Sequence, residues 1–294
     1  MTLRKQVTYA AQRLQQAGID YAEALADAEL LARHVLGWDR STYLLRNHEP
    51  PPSTFDTAYE VTIKRRTERE PVSLITEKKE FWDLKFAVKP GVLIPRPETE
   101  LIIETAITLF PDHAQAKLSI ADIGTGSGCL SIALALEFPN SIINALDTSA
   151  AALTIAKNNC IIHSVTDRVT LVEDNFENWL PSHSNPLYGL DLIVANLPYI
   201  PQDDINTLSP EVRSYEPHCA LNGGPDGLLF VRKLLTLAPT CLTSRGFLLL
   251  EIGDGQAPAL QEATESIPTL ALIGFRSDLQ GILRTAIIQR SPPS

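Results

Sequence analysis

The chain has 294 residues, enough for one large domain and a smaller one. Its 44% hydrophobic and 20% charged composition is that of a globular protein, and a formal net charge of -10 argues against non-specific nucleic-acid binding through a basic surface. The opening Met1–Gln6 lacks the apolar stretch of a secretory leader, no apolar run approaches the roughly 20 residues of a membrane span, and Cys129, Cys160, Cys219 and Cys241 lack metal-ligand spacing. A cytoplasmic protein with reduced thiols, no metal and no membrane partner is therefore expected.

Residues 1–77 read as a helical domain. Leu3, Val7, Ala11 and Leu14 recur at helical spacing up to Gly18, and Leu25, Ala28, Leu31 and Val35 form a stripe that ends at Gly37. A proline break at 50–52 follows, with Ser53 able to cap another helix. The basic run Lys64, Arg65, Arg66 with Arg69 reads either as a solvated helix face or as a contact for a partner. No catalytic side chain stands out here, so partner recognition is the expected role. Residues 78–94 alternate through Leu84, Phe86 and Val88, turn at Pro90-Gly91 and return through Val92-Leu93-Ile94, which predicts a β-hairpin linker.

Residues 95–294 alternate between strands and helices. Strands are expected at 118–123, 141–147, 169–174, 190–195 and 246–252, with helices near 99–110, 128–138, 149–162, 228–242 and 256–265. This is the pattern of an α/β fold: a mostly parallel sheet with helices on both faces. The runs at 270–273 and 282–288 leave little room for a crossover helix and predict an antiparallel hairpin that ends the sheet.

Two strand ends carry the chemistry. The first runs through Asp122 into Gly124-Thr125-Gly126-Ser127-Gly128, a glycine-rich turn before a helix, where backbone can approach a ligand closely. Asp147 ends the next strand, placed to accept from both hydroxyls of a ribose. A dinucleotide loop fits poorly, because Cys129 stands where its third glycine belongs. An acidic residue two before the first glycine, with glycines at alternate positions, looks like the S-adenosylmethionine loop of class I methyltransferases. Asp122 suits a cationic cofactor better than a phosphate, and Asp174 and Asn175 at the third strand's end are placed to cap the adenine.

The second is Asn196-Leu197-Pro198-Tyr199, directly after an apolar strand. The Asn196 side-chain oxygen and the Leu197 carbonyl can each accept one N–H of an amide or amino group and favour positive charge on its nitrogen as it is alkylated. Tyr199 can pack flat against the planar group and exclude water. Asn196 is also expected to contact the cofactor.

The tetrapeptide resembles the Asn-Pro-Pro-Tyr motif of N-methyltransferases acting on amide or exocyclic amino groups, and its leucine form occurs in rRNA adenine dimethyltransferases. The flanking segments narrow the choice. Arg69-Glu70-Pro71, Glu80-Phe81-Trp82, the run from Leu93 to Glu100, Tyr215-Glu216-Pro217, the run from Ala220 to Leu228, the run from Leu249 to Gly253 and the run from Asp278 to Gly281 resemble the release factor glutamine methyltransferases. The resemblance covers nearly the whole chain. It implies methyl transfer from S-adenosylmethionine to the glutamine of the Gly-Gly-Gln motif in class I peptide release factors, and a helical domain that grips the release factor. A monomer with no specific nucleic-acid partner is expected. The chain departs from the family in having Leu197 where proline is usual, and Glu77 at a glycine-like position, where the linker turn is expected to differ. Two rivals remain at this stage: a nucleic-acid amino-methyltransferase, which the acidic charge weighs against, and a non-catalytic scaffold, which the intact Asn196, Pro198 and Tyr199 weigh against.

Overall fold

The computed structural model describes residues 1–183 and 189–291. The chain divides into two compact units, Met1–Lys78 with Ser209–Tyr215, and Lys79–Leu208 with Glu216–Ser294.

The first unit is helical: α1 (Leu3–Gln16), α2 (Tyr21–Leu36), α3 (Arg40–Arg46), α4 (Phe55–Thr67) and α5 (Val72–Thr76). The first expected stripe and part of the second form its core, where Leu3, Val7, Leu14, Ala28 and Leu31 pack against Phe55, Tyr59 and Ile63, while Leu25 is exposed and Val35 only partly buried. The Asp20 and Asp39 carboxylates cap α2 and α3, and Gly37 ends α2 in the left-handed conformation. Thr54, not Ser53, precedes α4 and makes no side-chain cap. Glu77 ends α5 at φ 55°, a conformation glycine adopts freely and glutamate does not.

Within the basic run Arg66 and Arg69 are neither a solvated face nor an open contact, while Lys64 is exposed. The Arg66 guanidinium is buried and donates to Asp27 at 2.7 Å, Glu23 at 3.0 Å and Glu211 at 2.8 Å. Arg69 donates twice to the same Glu211, and Arg65 pairs with Glu70. Burial raises the Glu211 carboxyl, but the Arg69 and Arg66 guanidiniums outweigh it and hold the group down at about 2. Glu211 lies in the later segment, 145 positions from Arg66, so local sequence gave no sign of this pairing.

The second unit opens with a hairpin, β1 (Lys78–Phe81) and β2 (Leu84–Ala87). Its turn is Trp82-Asp83, both at positive φ, and not Pro90-Gly91. A two-residue turn with both φ positive matches the twist of paired strands, and it leaves Val92 and Leu93 free of the sheet. Then follow α6 (Glu100–Leu109), β3 (Ser119–Ile123), α7 (Cys129–Glu137), β4 (Ile142–Asp147), α8 (Ala150–Ile162), β5 (Val169–Glu173), α9 (Phe176–Ser182) and β6 (Leu190–Ala195). The short α10 (Pro210–Tyr215) belongs to the first unit. The chain closes with α11 (Leu229–Cys241), β7 (Leu242–Glu251), α12 (Ala257–Glu265), β8 (Leu270–Ser277) and β9 (Leu283–Arg290).

The seven-stranded sheet has the order β5-β4-β3-β6-β7-β9-β8. Its first five strands are parallel and the β8–β9 hairpin is antiparallel, as the sequence predicts. Alternate residues of each strand face opposite ways. Ile123, Ile193 and Leu250 meet α9, α11 and α12 on one face, while Ile120, Leu192 and Leu249 meet α6, α7 and α8 on the other. Burial on both faces explains why these strands read as continuous apolar runs.

Candidate active site

β3 lies between β4 and β6, so the strand order reverses there and the loops after Ile123 and Ala195 leave the sheet side by side. Open α/β sheets bind ligands at such a switch point. The cleft found there encloses about 910 Å³, part of it open to solvent. It gathers Gly124, Gly126, Asp147, Asp174, Asn175, Asn196, Leu197 and Pro198, all singled out from the sequence, and adds apolar walls from Val92, Leu146, Phe176 and Phe230. A smaller cleft shares Gly124, Gly126 and Asn196 and adds Thr125, Ser127, Arg96 and Thr99.

Gly126 has φ 56°, and a Cβ there would come within 3.5 Å of Val92 and narrow the cleft. Its N–H donates to Asp147 Oδ2 at 2.9 Å, and Ser149 N–H donates to Oδ1 at 2.9 Å. Each carboxylate oxygen keeps a second lone pair, which leaves capacity for two more donors. Asp174 accepts from the Asn175 N–H, and Asn175 Oδ1 caps α9 at the Glu177 N–H.

Asp122 does not line either cleft. It sits beneath the loop, fully buried, where Oδ2 accepts from Thr125 at 2.7 Å and Ser131 at 2.6 Å. Its Oδ1 is buried without a partner. Burial pushes the carboxyl up to about 6 against the pull of the two hydroxyls. Gly128 also lies outside the clefts, where it lets α7 pack against Ala156. The loop has a brace that sequence reasoning missed: Asn159 exchanges hydrogen bonds with both backbone groups of Ala87 and donates to the Ser127 carbonyl at 2.9 Å. The available signal was the amide pair Asn158-Asn159 in the otherwise largely apolar run 150–162.

The motifs around the tetrapeptide hold it in place. Gln256 donates to the Tyr199 carbonyl at 2.8 Å and accepts from the Gly253 N–H. Ile200 pairs with Leu221 and Gly223 through its N–H and carbonyl. Arg96 pairs with the buried Glu216, and Glu100 accepts from the Trp82 N–H. Leu197 is buried in the core beside the cleft. Tyr199 is half-buried outside both clefts, and burial followed by the nearby Glu251 charge raises its hydroxyl well above the usual tyrosine range.

Asn196 Nδ2 donates to Thr99 Oγ1 at 3.0 Å, and Thr99 Oγ1 donates to Glu251 Oε2 at 2.5 Å. Neither Thr99 nor Glu251 stood out as a site residue, although both lie in the motif segments. Burial pushes the Glu251 carboxyl up to about 7; the Thr99 and Tyr199 hydroxyls and Arg284 oppose this, and Glu98 adds to it. The folded state therefore holds this proton more tightly than the unfolded chain. Stability should fall as pH rises from the ordinary carboxylate range through about 7, by on the order of 3 kcal/mol from this group. Glu251→Gln cannot ionise and should flatten that decline. Calorimetric Tm values for both proteins between pH 5 and 8 check this, and parallel profiles would refute it.

Among the described residues no group of side chains is arranged to hold a metal, and no helix is long and apolar enough to cross a membrane. The family model for the PrmC N-terminal domain matches residues 6–76, and that for ribosomal protein L11 methyltransferase (PrmA) matches residues 99–214. The hMettl16 catalytic domain, solved in complex with the MAT2A 3′UTR hairpin 6, shares the fold with a TM-score of 0.56 at 17% identity, covering 79% of this chain and 83% of that one. The release factor glutamine methyltransferase of Geobacter sulfurreducens is 39% identical over 256 residues, 87% of this chain and 86% of its own. That of Koribacter versatilis is 33% identical over 301 residues, the full length of both. Identity at this level over nearly the whole of both chains places the protein: it belongs to the release factor glutamine methyltransferase family.

Proposed function

We propose that this protein transfers a methyl group from S-adenosylmethionine to the side-chain nitrogen of the glutamine in the Gly-Gly-Gln motif of class I peptide release factors, acting as a cytoplasmic monomer. The observation that carries the reading is the position of Asn196, which is shared by both clefts beside the glycine loop and has its amide nitrogen tied back to Thr99.

The residues of the larger cleft fit the cofactor. Asp147 has capacity for two hydroxyls, Val92, Leu146, Phe176 and Phe230 offer apolar walls for a base, and Asp174 and Asn175 stand at the rim. The unpartnered Asp122 Oδ1 lies beneath the loop as a buried negative site suited to a nearby cation. When bound, S-adenosylmethionine supplies an electrophilic methyl group.

The chain's own contribution is to make an amide nitrogen nucleophilic. That nitrogen's lone pair is delocalised into its carbonyl. Asn196 Oδ1 and the Leu197 carbonyl accept its two N–H groups, fix its plane and favour charge developing on nitrogen. The leucine keeps the carbonyl that the usual proline would provide. Pro198 adds no N–H to compete for these acceptors. No strong base is needed, because the alkylated nitrogen sheds a proton readily.

Incubation with isotopically labelled cofactor and purified release factors, followed by peptide mass spectrometry, tests the proposal. Label on the Gly-Gly-Gln glutamine is the expected result. Label on another residue, or on added RNA instead, would overturn it.

A further inference from the structure

We infer that Thr99 and Glu251 are positioning residues that decide which way round the Asn196 amide stands, so that its oxygen rather than its nitrogen meets the substrate. The inference rests on Asn196 being the acceptor for the substrate N–H.

An asparagine amide is nearly symmetric in shape, and rotation by half a turn exchanges an acceptor for a donor. With the nitrogen outward, two donors would face each other and the substrate amide would not be held. Something must therefore fix the orientation. β6 and β7 are parallel neighbours with Ala195 opposite Leu250, so the next residues, Asn196 and Glu251, end adjacent strands together. Thr99 joins them from the turn before α6.

A threonine hydroxyl has one proton to give. Once ionised, above about pH 7, Glu251 can only accept, and across 2.5 Å the Thr99 proton then goes to it. Only lone pairs then remain to face Asn196. The atom 3.0 Å away must be a donor, which is Nδ2, and Oδ1 is left for the substrate. Thr99 and Glu251 are each 2% exposed, so bulk water has little access to replace either partner.

Thr99→Val keeps the branched shape and removes the hydroxyl; Thr99→Ser restores it. Thr99→Val is expected to lower kcat on a release factor by about 10–100-fold, the scale of a mispositioned contact. The cofactor Kd, measured by calorimetry, should stay within about threefold, and Thr99→Ser should recover most of kcat. In an Asn196→Ala background, Thr99→Val and Glu251→Gln should each cause little further loss, because both act through the missing amide. Wild-type kcat in Thr99→Val, or losses that add to that of Asn196→Ala, would overturn the inference. A wild-type protein that leaves the Gly-Gly-Gln glutamine unmethylated would refute the proposed function instead, and that control is run first.

Discussion

Asn196→Ala is expected to lower kcat for release-factor methylation by about 10²–10³-fold, the loss seen when one aligned polar partner of a developing charge is removed. On the proposed reading, the change deletes the oxygen that would accept a substrate N–H and leaves the Leu197 carbonyl to hold the amide alone. The fold should survive. Asn196 is half-buried, and its side-chain hydrogen bond to Thr99 is worth about 1 kcal/mol. Because Asn196 also lines the larger cleft, where the cofactor is proposed to bind, the cofactor Kd should weaken, but by no more than about tenfold, one neutral hydrogen bond. Single-turnover methylation measured beside calorimetric cofactor binding separates the two effects. Near wild-type turnover would remove Asn196 from the chemistry.

Gly227→Ala is expected to damage both fold and activity without touching a side chain of the site. Gly227 has φ 78°, and a Cβ there would lie 2.1 Å from the Tyr199 carbonyl oxygen and 2.4 Å from Gln256 Nε2. The Gln256–Tyr199 hydrogen bond and the Tyr199 backbone cannot both stay in place. Gly255 offers a control. It has the same φ of 78° but nothing within 4 Å of the added carbon. Gly255→Ala should cost about 1 kcal/mol, the left-handed strain alone. Gly227→Ala should cost at least about 3 kcal/mol, in the range of strain plus overpacking. Displacing the tetrapeptide by about 1 Å should also cut kcat about 10²-fold. Denaturant unfolding and kcat for the two variants check this. Equal stability losses in both would show that the contact with Tyr199 carries no weight.

The pair of glycines also shows what the sequence could reveal. The strands were legible because burial on both faces turns each one into an apolar run, and Asp147 and Asn196 were legible because they end such runs. The reason for Gly227 was not, since it lies in the backbone of Tyr199, far along the chain. The same holds for Thr99 and Glu251, 152 positions apart, and for Arg66, whose charge looked like surface until Asp27 and Glu211 closed over it. The hairpin turn was misplaced because Trp82-Asp83 contains no glycine to announce its positive φ, while Pro90-Gly91 looked like a turn and lies beside the cleft. Side-chain type and local period carry information about strands and helices. Pairing between distant polar groups leaves almost none.

The helical unit borrows Ser209–Tyr215 from the far side of the motif that begins at Asn196. Glu211 is the acceptor shared by Arg66 and Arg69, so the first 78 residues leaving the ribosome carry a guanidinium whose place is in the interior and a set of partners that is incomplete. Domains of a nascent chain ordinarily finish in order of synthesis. Here the first unit cannot complete its buried charge network until the Asn196 tetrapeptide and the segment after it have been translated. Its maturation during synthesis is thereby tied to production of the strand that carries the candidate site.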